Sequence, residues 1–397
     1  MLEGLKAENF RSIRKEALLS LTEGNKPAAS VAVLTGSNGS GKTAFLQAAS
    51  AAQKILNDSL LRTPGSEIKG LEPFLFDPAA REEPFRFEVR GFADGKKFVY
   101  SFSAARNEIL EESLFLYLSS RLSKVFERNG QTVSAGSKWK ADVHSLAKIT
   151  QKNRLLLGVG ANLLTPPEIL QPVPSFPDIC IMVYLAIAGG IQFYSRESLS
   201  ACGKILLSDS IGQDPEKKQL LLGWMQKAGF NVSDFTFFYK EPDPSALGFF
   251  GNDQRIRECA ANRLCLERSF LVRKSRSKDI RQYLDTVSAG EVYCLELFAV
   301  LLEAFENGTS LLLDDMDAGL SPELIAFVTS LFQDQSINPN GAQLIFTTTN
   351  PALPDFCGLR NEQVYCVRKD PESQETSLFR LSDLPKEAKT ASSSNPL

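Results

Sequence analysis

Apolar positions near the amino terminus alternate with polar ones or form short runs, which is typical of β-strands. Residues 2–35 are therefore predicted to form strands, and the last of these, VAVLTG, is apolar and ends in glycine. The apolar positions then take up helical spacing, so a helix is predicted from Ala44 to Leu61. Thr63-Pro64-Gly65 ends this helix, because proline interrupts helical hydrogen bonding and glycine favours a turn.

The strongest strand signal lies further along the chain. Phe85, Phe87 and Val89 alternate with charged residues, and the alternation returns after an Asp-Gly pair, Asp94 and Gly95. An Asp-Gly pair between two alternating runs indicates a tight β-hairpin. A further strand is predicted in ESLFLYL, followed by a turn in FERNGQ.

The pattern changes to helical spacing from about residue 137, most clearly in 141–165 and 215–229. The apolar segment Ile179–Phe193 is predicted to be a buried helix or strand, because it is shorter than the ~20 residues of a membrane helix. We therefore divide the chain into four parts: a β-rich N-terminal lobe (1–136), a mainly helical insertion (137–260), a C-terminal lobe (261–385) and a disordered tail (386–397).

The C-terminal lobe is predicted to alternate helices with buried strands. Helices are predicted at Tyr293–Phe305 and Glu323–Phe332. SLLLDD and AQLIFTTT are apolar on both faces, as strands inside a parallel sheet are. EQVYCVRKD and TSLFRLSD predict a closing pair of strands. The fold class indicated by these patterns is α/β.

Composition narrows the possible chemistry. His144 is the one histidine, so one chain cannot supply two histidine ligands to a metal, and a catalytic triad would have to use this residue. The seven cysteines are scattered without a CxxC pair, which favours a reducing cytoplasm over a zinc site or a disulfide framework. The net charge of -3 argues against a surface coated for non-specific nucleic-acid binding. We expect no signal peptide and no membrane segment.

A candidate phosphate-binding loop lies between the strand VAVLTG and the helix that follows it. It reads Gly36-Ser37-Asn38-Gly39-Ser40-Gly41-Lys42-Thr43. The glycines let successive backbone N–H groups point at a phosphate, and the helix directs its positive end at the same anion. Lys42 would place its charge at the β- and γ-phosphates, and Thr43 would offer a hydroxyl to Mg²⁺. The sequence therefore predicts a nucleotide-binding site.

Two later segments indicate what acts together with the loop. The buried strand LLL ends in Asp314 and Asp315. Asp314 is placed to hold Mg²⁺, and Asp315 is placed to orient an attacking water molecule. Ser288-Ala289-Gly290-Glu291 comes directly before a helix, which is a second arrangement that can bind an anion.

The order of these motifs resembles an ABC-type ATPase head of the RecF, SMC and OLD group. It runs from the phosphate loop through a large insertion to SAGE, LLLDD, AGLSP and FTTT. NFRSI and DGKKFVYSF match near the amino terminus, and NPNGAQLIFTTTNPALPD matches near the carboxyl terminus. Within the group the chain is most similar to RloA-like abortive-infection and anti-phage ATPases and, more loosely, to the ATPase subunit of PARIS systems.

The resemblance implies a head that binds ATP and Mg²⁺ and pairs head to tail with a second copy, so that the smallest assembly is a homodimer. Ser288 and Gly290 would then contact the γ-phosphate of the nucleotide held by the neighbour's loop. The resemblance also implies that Ala318–Ser321 crosses between the two sites and that Arg11 lies near the nucleotide.

Three positions depart from the family pattern. Asp315 stands where glutamate is usual, and Ser321 and Thr349 stand where histidine is common. An aspartate carboxylate reaches about 1.5 Å less far and orients water less well. Glu72–Asp77 occupies the place of a glutamine loop without a matching glutamine. Because binding depends on the phosphate loop and Asp314, we expect ATP to bind well and to be hydrolysed slowly.

Three functional hypotheses follow. The first is a cytoplasmic sensor or scaffold in anti-phage defence that controls a separate effector, because the residues after Thr349 hold no nuclease-like D-x-D. The second is a RecF/SMC-like repair ATPase that acts on DNA, although the insertion lacks coiled-coil heptads. The third is a degenerate ATPase that uses ATP as a structural clamp. The basic run from Arg268 to Arg281 is a solvated loop or strand edge, or else a contact to DNA or to an acidic partner.

Overall fold

The computed structural model describes residues 1–24, 26–118, 121–165, 173–239, 266–274 and 278–384. The chain divides into two compact units. The first comprises Met1–Phe193, Asn307–Asp315 and Thr329–Leu397, and the second comprises Tyr194–Glu306 and Met316–Val328. Among the helices of the described ranges, none is long and apolar enough to cross a membrane.

The described residues form strands β1 (Leu2–Glu8), β2 (Ala17–Ser20), β3 (Val31–Thr35), β4 (Phe85–Ala93), β5 (Lys96–Ala105), β6 (Glu108–Tyr117), β7 (Leu122–Asn129), β8 (Thr132–Ala135), β9 (Ile191–Tyr194), β10 (Asp234–Tyr239), β11 (Leu266–Lys274), β12 (Asp279–Tyr283), β13 (Ser310–Leu313), β14 (Gln343–Thr348), β15 (Val364–Lys369) and β16 (Thr376–Arg380). The helices of the same residues are α1 (Lys42–Asn57), α2 (Lys140–Ile149), α3 (Leu156–Leu163), α4 (Phe176–Ala188), α5 (Arg196–Ser208), α6 (Ser210–Gln213), α7 (Pro215–Lys227), α8 (Ala289–Asn307), α9 (Pro322–Gln333) and α10 (Leu353–Phe356).

The first unit contains a seven-stranded antiparallel sheet in the order β2-β1-β4-β5-β6-β7-β8. The predicted hairpin is confirmed as β4 and β5. Asp94 and Gly95 both have positive φ, 46° and 69°, as a two-residue turn of this twist requires. The predicted turn in FERNGQ is wrong in extent, because Phe126–Asn129 completes β7 and the chain turns only afterwards into β8. The FERN segment is polar and shows no regular alternation of apolar residues, so this strand was not predicted.

A six-stranded sheet, in the order β16-β15-β3-β14-β13-β9, lies mainly in the same unit. β15, β3, β14 and β13 run parallel to one another, and β16 closes the sheet antiparallel to β15. All residues of β13 and β14 are buried, which explains their continuous apolar runs. The carboxyl ends of parallel strands meet at one edge, so the segments that follow β3, β13 and β14 come together there.

The predicted helical region contains both helices and strands in its described residues. Helices α2 and α3 lie in 141–165, and α7 lies in 215–229, as predicted. The segment Ile179–Phe193 contains both alternatives, because α4 covers its first part and β9 its end. The boundaries at 136 and 260 remain predictions, and the tail 386–397 lies outside the described residues.

A buried ion pair connects the seven-stranded sheet with α3. The side chains of Glu112 and Arg128 are 0% and 2% exposed, and their nearest charged atoms are 3.7 Å apart. The Glu112 carboxylate also accepts hydrogen bonds from the Tyr100 hydroxyl at 3.0 Å and from the backbone N–H groups of Leu156 and Leu157 at 2.7 and 2.9 Å. Burial raises the pKa of Glu112 above the usual glutamate value.

Candidate nucleotide site

The phosphate loop joins β3 to α1 at the carboxyl edge of the six-stranded sheet. Gly39 and Gly41 have φ values of 78° and 103°, a left-handed conformation that glycine adopts without strain. A Cβ atom at Gly41 would collide with the Thr376 side chain, and one at Gly36 would collide with the Val367 carbonyl. Both the backbone conformation and the close packing therefore require the glycines of the loop.

The Lys42 ammonium group lies at the hollow of the loop. Its Nζ donates hydrogen bonds to the carbonyl oxygens of Gly36 at 2.8 Å and Ser37 at 2.9 Å. Lys42 is only 5% exposed, whereas Ser37 and Asn38 are exposed at the rim. The first turn of α1 contains no acidic residue, so no side-chain charge there opposes the positive end of the helix. The arrangement is suited to hold a polyanion such as a triphosphate.

Thr43 and Asp314 face each other across the loop. The Thr43 hydroxyl donates to Asp314 Oδ1 at 3.1 Å. Mg²⁺ binds oxygen ligands at about 2.1 Å, so two adjacent ligands of an octahedral ion are about 3.0 Å apart. The two oxygens are thus spaced as a pair of Mg²⁺ ligands would be. Within the described residues, no group of three or more His, Cys, Asp or Glu side chains is arranged so that it could hold a metal ion. The remaining ligands of Mg²⁺ would then be phosphate oxygens and water.

Thr347 supports both acidic residues from the end of β14. Its hydroxyl donates to Asp314 Oδ1 at 2.8 Å and accepts a hydrogen bond from the Asp315 backbone N–H at 2.7 Å. The sequence reasoning missed this residue and considered Thr349 instead, which is exposed. The signal available in the sequence was a threonine near the end of the apolar run QLIFTT, and the structure shows this threonine to be fully buried.

Asp315 adopts a backbone conformation that few non-glycine residues have. Its φ is 50°, and the residue is exposed two positions after the end of the buried strand β13. Aspartate tolerates this left-handed region better than most side chains, and such conformations concentrate at functional sites. The turn brings the predicted water-orienting residue to the same edge of the sheet as the phosphate loop.

Arg11 lies beside the first turns of α1. Its guanidinium donates to both carboxylate oxygens of Glu72, at 2.7 and 3.0 Å, and also to the side-chain amide oxygen of Gln47. Gln47 lies one helical turn after Thr43 and so on the same face of α1. The Arg11 backbone N–H additionally donates to the Glu72 carbonyl at 2.6 Å. The segment Glu72–Asp77 is thereby fixed next to the loop.

Ser288 and Gly290 belong to the second unit, at the start of α8. The Ser288 hydroxyl accepts a hydrogen bond from the Glu291 backbone N–H at 3.3 Å, and Ser288 itself is exposed. A Cβ atom at Gly290 would lie 3.3 Å from the carbonyl oxygen of Gly319. The SAGE motif and the Ala318–Ser321 loop therefore lie in contact within this unit.

Two arginines hold these segments of the second unit. Arg196 donates to the Ala318 carbonyl at 2.5 Å, and its guanidinium carbon lies 5.3 Å from the centre of the Tyr293 ring. Arg273, a member of the basic run, pairs with Glu291 at 2.9 Å. Of this run, Arg273 and Lys274 lie on β11 and Arg281 lies on β12, an edge strand of the sheet β10-β11-β12, while Arg276 lies outside the described residues. The structure describes no side chain for Arg268.

Replacing Thr347 with valine is expected to weaken Mg²⁺-dependent ATP binding about tenfold. Valine keeps the volume but removes the hydrogen bonds that orient Asp314, and lost outer-shell partners typically cost 10–100-fold in metal affinity. Calorimetric titration of ATP at several Mg²⁺ concentrations measures the change. Thr348→Val is the matched control, because Thr348 is equally buried on the neighbouring position of β14. Equal effects of the two substitutions would contradict the assigned role.

Among the solved structures that this chain is similar to, two match along nearly their whole length. The recombination mediator protein RecF, in a structure titled RecF-ATPrS in the RecFOR pathway, is 16% identical, with a TM-score of 0.37 over 96% of this chain and 98% of that chain. The Smc head domain of Pyrococcus furiosus, bound to the C-terminal domain of ScpA, is 11% identical, with a TM-score of 0.40 over 98% of both chains. No curated protein matches the sequence.

A protein family also matches the chain, in two segments. The family described as "AAA domain, putative AbiEii toxin, Type IV TA system" matches residues 31–155 and 212–355. The first segment begins with β3 and contains the phosphate loop, and the second contains SAGE, Asp314 and Thr347. Together they make up more than half of the chain. The protein therefore belongs to this family of AAA domains.

Proposed function

We propose that the protein binds Mg²⁺ and ATP in its first unit and hydrolyses the nucleotide slowly. The observation that supports this most directly is the meeting of Lys42, Thr43 and Asp314 at one edge of the sheet. Lys42 would neutralise the β- and γ-phosphates, and Thr43 and Asp314 would hold Mg²⁺. Asp315 would orient the attacking water from its exposed position next to Asp314.

The proposed assembly is a dimer in which each copy completes the other's site. Ser288 is exposed at the amino end of α8, a 19-residue helix, so its hydroxyl and the nearby N–H groups are accessible to a phosphate of a second copy. ATP would join two copies, and hydrolysis would release them. Size measurement by light scattering, with ATP and with ADP, tests this directly. A monomer in both nucleotides would refute the shared site.

The proposed biological role is that of an ATP-dependent sensor or scaffold in an anti-phage system, acting in the cytoplasm on a separate effector. The family description names an AbiEii toxin and a type IV toxin–antitoxin system, which supports a role in defence. An effector that co-purifies with the protein and leaves only during ATP turnover would support this role. A strain that produces a folded Asp314→Ala variant is also expected to lose its protection against phage. Full protection in that strain would contradict the role.

A second candidate function is ATP-dependent action on DNA. Lys274, Lys278 and Arg281 are exposed at β11 and β12 and could contact phosphates. ATPase activity that duplex DNA stimulates, and that high salt removes, would favour this candidate. The third candidate, ATP as a structural clamp, predicts bound ATP without any turnover.

Asp315→Glu is expected to raise the rate of hydrolysis several-fold while leaving ATP affinity within about twofold. The added methylene brings the carboxylate about 1.5 Å closer to the attacking water, and water-orienting geometry strongly affects rate. Phosphate release under single-turnover conditions measures the effect. Asp315→Asn, which keeps the shorter side chain and removes the charge, should lower the rate. A glutamate variant no faster than the asparagine variant would refute the role of this residue.

A further inference from the structure

Two large apolar side chains are exposed beside the phosphate loop. Leu75 and Phe76 are each 62% exposed, although Phe74, two residues earlier, is fully buried. They belong to the segment Glu72–Asp77, which the Arg11–Glu72 pair fixes next to α1. Glu72 and Phe74 thus hold the chain just before the exposed ring, and an ion pair between Arg14 and Asp77 at 3.0 Å holds it just after.

The Phe76 ring also contacts Lys369, and Lys369 is connected through its strand partner to the phosphate loop. The Lys369 Nζ lies 5.8 Å from the centre of the Phe76 ring. Lys369 is paired across the strands with Thr376, and the Thr376 hydroxyl donates to the Ser40 carbonyl at 2.9 Å. One pair of strands thus separates the exposed ring from the phosphate loop. Lys369 also fixes the orientation of the ring through a cation–π contact.

The sheet topology shows on which side of the loop this ring lies. β3, which carries the loop, has β14 on one side and β15 on the other. Asp314 follows β13, beyond β14, so the γ-phosphate and Mg²⁺ end of a bound nucleotide is directed toward that side. A nucleotide extended along the loop from that end would place its nucleoside toward β15, where Lys369 and Phe76 lie.

We propose that Phe76 is the platform on which the base of the bound nucleotide stacks. This inference rests on the proposed ATP site and adds the contact that holds its base. Aromatic side chains stack on the flat face of a base, and such stacking is strong enough to contribute measurably to binding. A platform of this kind takes a purine better than a pyrimidine, because a purine offers the larger ring surface.

Phe76→Ala is expected to weaken ATP binding about tenfold, as loss of one base–aromatic stack does. Binding of inorganic tripolyphosphate with Mg²⁺, which has phosphates but no base, should stay unchanged. Phe76→Trp should keep wild-type affinity for ATP. Leu75→Ala is the matched control, because Leu75 is adjacent and equally exposed. Calorimetric titration measures each affinity, and thermal melting verifies that each variant is folded.

The outcomes separate this inference from the proposed function. An unchanged ATP affinity in Phe76→Ala, or equal weakening of ATP and tripolyphosphate, would overturn the platform and leave the ATP site standing. If Phe76→Ala keeps normal ATP affinity but no longer self-associates, the platform is also overturned, because Phe76 would then contact a second copy. A wild-type protein that binds neither ligand would overturn the proposed ATP site and the platform together.

Discussion

Lys42→Ala is expected to raise the dissociation constant for Mg²⁺-ATP by at least about 100-fold. Lys42 is 5% exposed, and its ammonium group donates hydrogen bonds to the loop carbonyls of Gly36 and Ser37. It is thus already positioned where the β- and γ-phosphates would lie. Each hydrogen bond to a charged group contributes about 1.5–3 kcal/mol, and the lysine would form more than one such bond to the phosphates.

Calorimetric titration of purified protein with ATP measures this loss. Lys54→Ala is the matched control, because Lys54 lies on the same helix α1 but forms only an exposed pair with Asp58 at 3.2 Å. The control should bind ATP as the unchanged protein does, because exposed ion pairs contribute little. An affinity of Lys42→Ala within twofold of the unchanged protein would refute the assignment of the loop.

Arg128→Ala is expected to lower the free energy of unfolding by about 3–5 kcal/mol, which is the usual cost of removing one partner of a buried ion pair. The substitution leaves Glu112 buried without its cation at 3.7 Å. Burial already raises the pKa of Glu112, and loss of Arg128 should raise it further. A carboxyl group whose pKa is raised in the folded state contributes stability below its pKa in the unfolded chain. This contribution is lost as the pH rises through its pKa in the folded protein. The loss of unfolding free energy in Arg128→Ala should therefore be smallest at acidic pH.

Urea unfolding of Arg128→Ala between acidic and neutral pH tests this expectation. Arg106→Ala is the control, because Arg106 forms an ion pair with Glu67 in which both side chains are exposed. Its loss should change the free energy of unfolding by less than about 1 kcal/mol. A double variant, Glu112→Gln with Arg128→Met, should recover most of the stability, because no charge remains buried. A loss below about 1 kcal/mol in Arg128→Ala at neutral pH would contradict the account.

The features whose position could be predicted from the sequence are those encoded in contiguous segments. The phosphate loop has its own spacing of glycines, and Asp314 follows a strand whose continuous apolar run indicates burial on both faces. The hairpin at Asp94 was equally local, because its turn chemistry and its alternation lie within one stretch of sequence. Local patterns of this kind determine local structure whatever the rest of the fold does.

Other features depend on contacts between distant segments, and the sequence did not reveal them. Thr347 reaches Asp314 only because β13 and β14 are neighbours in parallel register. Arg11 and Glu72 are 61 residues apart in sequence, and their pairing depends on how the two segments fold around α1. β7 was missed because its outer residues are polar and its register shifts against β6.

The roles of Ser288 and Gly290 remain predictions. In the proposed dimer their ligand is a nucleotide bound by another copy. Ser288→Arg offers a test, because a large side chain at the start of α8 should block self-association in ATP while leaving ATP affinity unchanged.

The central claim is that the protein binds Mg²⁺-ATP well and hydrolyses it slowly. The most direct test measures ATP binding by titration and then phosphate release in a single turnover, both on the same purified preparation. The account predicts one ATP bound per chain in the presence of Mg²⁺, followed by phosphate release well below the ~10 s⁻¹ of a typical enzyme. It also predicts that Asp315→Ala abolishes this release without loss of binding. A protein that does not bind ATP, or that hydrolyses it rapidly whether or not Asp315 is present, would contradict the account.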